Sequence, residues 1–286
     1  MILLSLRKAL MNVSRTATKA RTILKQEGLG EFVRQVLLVF VHIYAGKIPL
    51  ARFKWNAGLR SEMDFWDAYF RTKGLQWPET YMMRLDPTLP LQPRPSALLP
   101  PQEEVRILDV GAGPLSYLGK THPTKRIHIT PVDPLAHQYD RIIKKYQVHP
   151  VIQTQKLAAE KLTRRFSSNT FDLVFARNCI DHSYDPEKAI REMIEVVKSG
   201  HYVLLEHAPN EAENEGYAGL HQWNFSMSSD GDFIIRSKTQ ETNMTRKYAG
   251  QCKIECEMGK EEGVGDWLIT RIQKHHYTES VDRAGT

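Results

Sequence analysis

Ile107-Leu108-Asp109-Val110-Gly111-Ala112-Gly113-Pro114 is the stretch that decides the fold. With Val105-Arg106 before it, the segment reads as a short apolar strand that runs straight into two glycines. Glycines at the end of a first strand let the backbone turn sharply and approach a bound nucleotide closely. Asp133 stands 20 residues beyond Gly113, at the end of a second strand predicted over Arg126–Val132. A carboxylate in that place can accept both ribose hydroxyls of an adenosine ligand. An ordinary strand-to-helix turn is the competing reading of the glycines alone. The succession of strand, Asp-x-Gly-x-Gly, helix, second strand and terminal acid favours a nucleotide site.

Working outward, strands and helices alternate. A helical face is predicted over Pro134–Gln147 (Leu135, Tyr139, Ile142, Ile143, Tyr146), and a strand over Phe171–Ala176. Asp185-Pro186 is a helix start, with Asp as N-cap and Pro at the first position. That helix buries Ile190, Met193, Ile194 and Val197 and is expected to stop at Gly200, before a strand over His201–Glu206. This alternation implies a parallel sheet covered on both faces. Asp232–Ser237, Gln251–Met258 and Trp267–Lys274 read as strands that finish the sheet in antiparallel fashion, without helices between them. The predicted fold is α/β: a Rossmann-like, seven-stranded, mostly parallel sheet with antiparallel final strands and an N-terminal helical extension.

Four regions follow: a basic helical arm over 1–60, an aromatic-rich cap and Pro-rich linker over 61–101, a Rossmann-like domain over 102–276, and a tail over 277–286. Pro87, Pro90, Pro93, Pro95, Pro100 and Pro101 neither continue a helix nor suit a central strand, hence the linker. The net charge of +6 is uneven: residues 1–60 carry a balance of +9 and the remainder −3. A uniformly basic nucleic-acid binder does not look like this, and DNA is not an expected partner. In the arm, Leu3, Leu6, Leu10, Val13, Ala17 and Ala20 fall at helical spacing with basic residues between them. Val36–Ala45 is apolar but shorter than the roughly 20 residues that span a bilayer. The arm therefore reads as a peripheral attachment to an anionic membrane surface, or as packing against the body or a second copy in a homodimer. Three cysteines, Cys179, Cys252 and Cys256, exclude a disulfide scaffold and point to a reducing cytoplasm. The expected location is cytoplasmic, at the inner face of a membrane if the arm attaches there.

Two ligand classes compete for the glycine turn, NAD(P) and S-adenosylmethionine. Position 116 is Ser instead of a third glycine, and Pro114, expected in the first helical turn, removes an N–H that a pyrophosphate would use. S-adenosylmethionine has no phosphate to lose. A dinucleotide fold also needs a second βαβ half, which the chain after residue 207 does not offer.

At this point the chain resembles a known family. Ile107–Gly113, Asp133, Ala159-Glu160-x-Leu162, Phe171-Asp172-Leu173-Val174 and Ile180-Asp181-His182-x-x-Asp185-Pro186 look like successive motifs of class I S-adenosylmethionine-dependent methyltransferases, in the UbiE-like, type 11 small-molecule subgroup. The likeness covers about residues 102–207 and does not extend to 1–60. It implies that Gly111 and Gly113 face the methionine part, with Asp109 near its ammonium. It further implies that Asp133 takes the ribose, Ala159 and Glu160 lie beside the adenine, and Arg177 and Asn178 border the donor methionine. The family often has an acid where Ala158 stands, so the resemblance does not carry a side-chain contact to the adenine amino group over to this position.

For the acceptor, the chain has Arg177-Asn178-Cys179-Ile180-Asp181-His182 after the fourth strand, not the Asn/Asp-Pro-Pro-aromatic element of nucleic-acid amino methyltransferases. A hydroxyl of a small molecule or glycan-like polyol is the simpler acceptor. Transfer from a sulfonium needs in-line alignment and removal of a proton. His182 and His207 end parallel strands on the ligand-binding rim and are the candidate bases. His221 and Trp223, in His221-Gln222-Trp223-Asn224, suit recognition of a polyol, and Arg84 with Trp77 and Tyr81 is placed to close over cosubstrate or a charged acceptor. Asp181, His182, Glu206, His207 and His221 contain the donors of a divalent metal site, but no spacing forces them together, and the expectation is a hydrogen-bonded rim with no metal. The reading is an S-adenosylmethionine-dependent O-methyltransferase. Its rivals are an NAD(P)-dependent oxidoreductase and a membrane-associated nucleotide-binding scaffold.

Overall fold

The computed structural model describes residues 51–261 and 265–276. The chain divides between Phe53 and Lys54 into two units, and the second carries the site. The amphipathic stretch Leu3–Ala20, the apolar run Val36–Ala45 and the tail 277–286 lie outside the described residues. Among the described residues, no helix is long and apolar enough to cross a membrane.

Three helices precede the sheet: α1 (Ala51–Thr72), α2 (Pro78–Leu85) and α3 (Pro93–Ala97). Then come β1 (Glu104–Val110), β2 (Arg126–Asp133), α4 (Ala136–Lys145), β3 (Gln155–Lys156) and a 3₁₀ turn over Ala159–Arg164. They are followed by β4 (Phe171–Arg177), α5 (Pro186–Val196), β5 (Val197–His207) and α6 (Glu211–Asn214). The chain finishes with β6 (Asn224–Met227), β7 (Phe233–Arg236), β8 (Glu241–Asn243), α7 (Met244–Tyr248), β9 (Cys252–Glu261) and β10 (Gly265–Lys274). The seven-stranded sheet runs β3-β2-β1-β4-β5-β10-β9. Its first five strands are parallel, and β10 pairs antiparallel with both β5 and β9. This is the Rossmann-like sheet with antiparallel final strands. No second βαβ half follows β5 among the described residues.

Residues adjacent in sequence are buried on opposite faces of the central strands, which explains their unbroken apolar runs. Leu108, Val174 and Leu205 pack with Ile190, Met193 and Ile194 of α5. Ile107, Leu173, Phe175 and Leu204 pack with Leu91, Leu118 and Trp267 on the other side. A third cluster joins the cap to the domain: Trp66, Tyr69, Phe70 and Tyr81 close on Leu135, Tyr139 and Ile142.

Several expectations are corrected. Pro114 opens no helix, because residues 111–125 cross from β1 to β2 without one. Leu115 and Leu118 are buried in different clusters, and the chain there lies so close to residue 90 that a Cβ on Gly119 would come within 1.9 Å of the Pro90 carbonyl oxygen. The Pro-rich segment is correspondingly not a free linker. Leu91 and Pro95 are buried, and the Gln92 side chain donates to Tyr117 O (2.8 Å) and accepts from Gly119 N (3.0 Å), so this segment covers the sheet where the crossover helix was expected. Helix α5 ends at Val196, ahead of Gly200, because β5 already begins at Val197. Asp185 caps it as expected, accepting from Lys188 N at 3.0 Å. The strand at 232–237 does not finish the main sheet but forms a separate three-stranded sheet, β6-β7-β8, and a short helix, α7, precedes β9. The expected boundary at residue 60 falls inside α1.

Candidate active site

A cavity of about 580 Å³ lies over the carboxyl ends of β1, β2 and β4, walled by α1, α2 and the loop before β6. This rim is where open α/β sheets bind ligands, and the volume is that of a small-molecule site. Its floor is the glycine turn. Gly111 and Gly113 have φ of +68° and +64°, which non-glycine residues adopt at a cost. The N–H groups of Gly111 and Ala112 both donate to Val132 O, at 2.8 and 3.1 Å. A Cβ at Gly111 would sit 2.5 Å from Cys179 Sγ, and one at Gly113 would sit 2.6 Å from the Trp66 ring.

Asp133 ends β2 beside this turn. Its Oδ1 accepts from Leu135 N (2.8 Å) and its Oδ2 from Gly113 N (3.2 Å), and further lone pairs remain for ribose hydroxyls. Burial pushes its carboxyl up to about 7, against the pull of those two N–H groups. Ala159 and Glu160 form an adjoining wall, with Glu160 Oε1 accepting from Tyr184 N at 3.1 Å. Arg84, from α2, enters the other end of the cavity. It donates to Leu115 O and lies over the Trp66 and Tyr117 rings at 5.6 and 5.5 Å. Arg84 Nε and the neighbouring Tyr69 hydroxyl are buried without a hydrogen bond of normal geometry. A ligand carboxylate there would satisfy both, which fits the methionine end of S-adenosylmethionine.

Arg177 and Asn178 both line the cavity. Arg177 is anchored: it pairs with Glu206 and stacks on Trp267 and Tyr117 at 4.0 and 4.4 Å. Asn178 turns the chain after β4 in the left-handed region (φ +46°), accepts from Ala208 N at 3.1 Å and donates to Glu211 Oε1 at 3.4 Å. Asp109 departs from its expected place. It lies beneath the turn, accepting from Ser116 Oγ at 2.6 Å, and is not among the residues lining the cavity. Burial pushes it up to about 6, and its hydrogen bond to Ser116 supports the turn.

Three further lining residues, His182, Glu211 and His221, join Asp181 in a cluster the sequence does not reveal as one. His182 Nε2 and His221 Nδ1 are 3.0 Å apart, with the two rings nearly perpendicular. Asp181 Oδ2 is 3.4 Å from His182 Nε2, and Glu211 Oε1 is 3.7 Å from His221 Nδ1. Burial pushes Asp181 up to about 7 and Glu211 up to about 6, and lowers His221. One ligand atom from each of the four lies within 4.8 Å of all the others.

Two expected site residues do not reach this wall. His207 is 1% exposed, accepts from Ile180 N at 3.2 Å and packs against Phe225 at 4.6 Å. Burial pushes it down to about 3, so it is a neutral core imidazole and not a base facing the cavity. Trp223 packs against the hydrophobic core and is not part of the lining. Glu206 is held by Arg177 and Arg94, away from the histidines. Sequence reasoning in turn misses Glu62, Trp66 and Glu211. Glu62 accepts from Trp66 Nε1 at 2.7 Å, an i,i+4 pair on α1 that places a carboxylate in the aromatic wall. The one available signal for Glu211 is its place just beyond the fifth strand.

The sheet order, the glycine turn, the acid ending β2 and the cavity on the carboxyl rim together define a class I nucleotide-binding α/β domain. Residues 108–205 match the family model described as a methyltransferase domain. Residues 108–205 thus carry a methyltransferase domain, which supports an S-adenosylmethionine-dependent methyltransferase of class I, type 11. Similar solved structures include a chain of a Haloferax volcanii complex containing the Trm112 methyltransferase activator, at 14% identity and TM-score 0.48, covering 76% of this chain and 98% of that one. A Methanosarcina mazei SAM-dependent methyltransferase is 16% identical with TM-score 0.41, covering 66% and 100%. A Thermotoga maritima SAM-dependent methyltransferase is 19% identical with TM-score 0.45, covering 74% and 97%. When bound, S-adenosylmethionine supplies an electrophilic methyl group on a sulfonium.

Proposed function

We propose that the enzyme methylates a hydroxyl group of a small molecule or glycan-like polyol. The observation that carries this reading is the wall built by His182, Glu211 and His221, which shares one cavity with the glycine turn and Asp133. Donor and acceptor can therefore meet in a single cavity, which is the main requirement of an in-line displacement. A hydroxyl is a weak nucleophile at neutral pH, and paired imidazoles beside carboxylates supply the polar surroundings that help it lose its proton. Asp133 holds the donor ribose, Ala159 and Glu160 flank the adenine, and Arg84 takes the methionine carboxylate. His182 and His221 bind and activate the acceptor. The test is incubation of the purified protein with labelled donor and a panel of sugars, polyols, phenols and amines, with products identified by mass spectrometry and NMR. Methyl ethers support the reading, and exclusive N- or C-methyl products overturn it.

The +9 balance of residues 1–60 supports attachment of the arm to an anionic membrane surface, at about 1 kcal/mol per basic residue near the lipid. Because α1 spans the expected boundary, the control is a chain starting at Ala51. The full chain should sediment with anionic vesicles at low salt and release at high salt. Equal behaviour of the two chains removes the membrane and leaves the arm as a packing or dimerisation element.

A further inference from the structure

We propose that Asp181, His182, Glu211 and His221 form a binding site for one divalent transition-metal ion at the acceptor end of the cavity. The four residues come from three places in the chain: the loop after β4, the start of α6 and the loop before β6. The fold nevertheless brings one donor atom from each to within 4.8 Å of the rest. Metal–ligand bonds of about 2.1 Å put neighbouring ligand atoms about 3.0 Å apart in an octahedron and about 3.4 Å apart in a tetrahedron. Separations of 3.0 Å (His182 Nε2 to His221 Nδ1), 3.4 Å (His182 Nε2 to Asp181 Oδ2) and 3.7 Å (His221 Nδ1 to Glu211 Oε1) fall at or near those values.

A second observation points to a cation. Asp181 is 1% exposed, yet both its carboxylate oxygens lack a hydrogen bond of normal geometry, as does the buried Glu211 Oε2. Asp181 and Glu211 also approach each other, and two buried carboxylates facing one another need a proton or a cation between them, a role a divalent ion fills. His207 Nε2 lies 3.7 Å from Asp181 Oδ1 but already accepts from Ile180 N–H, so it does not donate to that carboxylate. Asn178 donates to Glu211 Oε1 at 3.4 Å, the kind of neighbouring contact that orients a ligating carboxylate. Two imidazoles with two carboxylates favour Mn²⁺, Fe²⁺, Co²⁺ or Zn²⁺ over Mg²⁺, which prefers an all-oxygen shell.

The role of the ion rests on the hydroxyl-acceptor reading, whereas the site does not. A hydroxyl bound by the ion becomes more acidic. Its O–H bond breaks with the proton passing to water, its oxygen bonds to the donor methyl, and the methyl–sulfur bond breaks to leave a neutral thioether. His182 and His221 then activate the acceptor through the ion, as its ligands.

The experiment uses untagged, full-length protein treated with chelator, in the absence of donor and acceptor. Mn²⁺ is titrated with the free ion read by electron paramagnetic resonance, and Co²⁺ by its visible absorption. One ion should bind per chain with Kd in the range of about 1–100 μM. Glu211→Gln and His221→Ala should each weaken binding by about tenfold or more. Calorimetric binding of S-adenosylhomocysteine by both variants shows that they are folded. Absence of saturable binding in a wild-type protein that binds S-adenosylhomocysteine overturns the site, as does binding that neither variant alters. Methyl-ether formation is measured separately, so failure of the metal site and failure of the hydroxyl reading are told apart.

Discussion

Replacing Asp133 with alanine tests the donor site where its geometry is most explicit. The carboxylate is buried and accepts two backbone N–H groups, from Leu135 at 2.8 Å and Gly113 at 3.2 Å. Its removal leaves both donors unsatisfied, at about 1–3 kcal/mol each, so the ligand-free variant should unfold more easily. The loss depends on pH. Burial raises the folded-state pKa from 3.8 to about 7, so ionisation of this carboxyl costs the wild type stability as pH rises through 7. The alanine variant does not carry that cost, and its deficit should shrink between pH 6 and pH 8. Binding should fall independently of stability. Charged hydrogen bonds to the ribose hydroxyls are worth about 1.5–3 kcal/mol each, so affinity for S-adenosylhomocysteine should drop at least about tenfold. Asp133→Asn keeps one acceptor oxygen and turns an NH₂ group toward the second N–H, and it should fall between the two. Calorimetric titration with S-adenosylhomocysteine, run beside thermal unfolding of the same samples, separates the two effects. A folded alanine variant that binds as tightly as wild type refutes the assignment of Asp133 to the ribose.

Three further outcomes are expected. Gly113→Ala forces a residue at φ +64° and drives its Cβ to 2.6 Å from Trp66, so about 1–2 kcal/mol of backbone strain adds to displacement of the cavity wall, and calorimetry should show weakened donor binding. His207→Ala removes a buried ring and the acceptor for Ile180 N–H, and urea unfolding should show a loss of about 2–4 kcal/mol; an unchanged midpoint would mean the ring is not in the core. The melting temperature of chelator-treated, ligand-free protein should fall as pH rises from about 6.5 to 8, because Asp133 and Asp181, raised by burial to about 7, are protonated in the folded state and ionised in the unfolded one. His207, depressed to about 3, acts oppositely, but its stabilisation is lost only as pH falls below 6.5, so a flat or rising profile above that pH contradicts the burial of the two carboxylates.

The glycine turn and Asp133 are readable because they are local in the chain. A strand that ends in Gly111-Ala112-Gly113 and a strand that ends in Asp133 are each short-range patterns, and pairing β1 with β2 in parallel register places their ends side by side. The helix after Asp185-Pro186 is equally local, since cap and proline sit in one turn. What is not readable is decided by tertiary cover. Prolines 87–101 look like a linker because they cannot join a ladder, yet Leu91 and Pro95 are buried and Gln92 stitches the segment to Tyr117 and Gly119. No periodicity announces that a segment preceding the first strand will replace the helix between β1 and β2. Trp66 against Gly113 is a contact of the same kind.

The two histidines show how a one-residue boundary changes a functional reading. Both follow apolar strands, and as sequence they look equivalent on the rim. Strand β4 ends at Arg177, so His182 lies five positions beyond it, in the loop that turns over the cavity. Strand β5 runs through His207 itself, whose backbone pairs with Leu268 of β10. A residue still inside a ladder follows its period of two. Glu206 accordingly points to one face, where Arg177 and Arg94 hold it, and His207 to the other, where Phe225 packs against it. The position that continues the rim past β5 is therefore not the histidine but the first residue of α6, Glu211, beyond the Ala208-Pro209-Asn210 turn. Counting from the true end of the strand, a carboxylate takes the place the sequence assigns to an imidazole. That exchange is what gives the cavity wall two histidines and one acid, with Asp181 buried beside them, a set with metal-binding character instead of two separate bases.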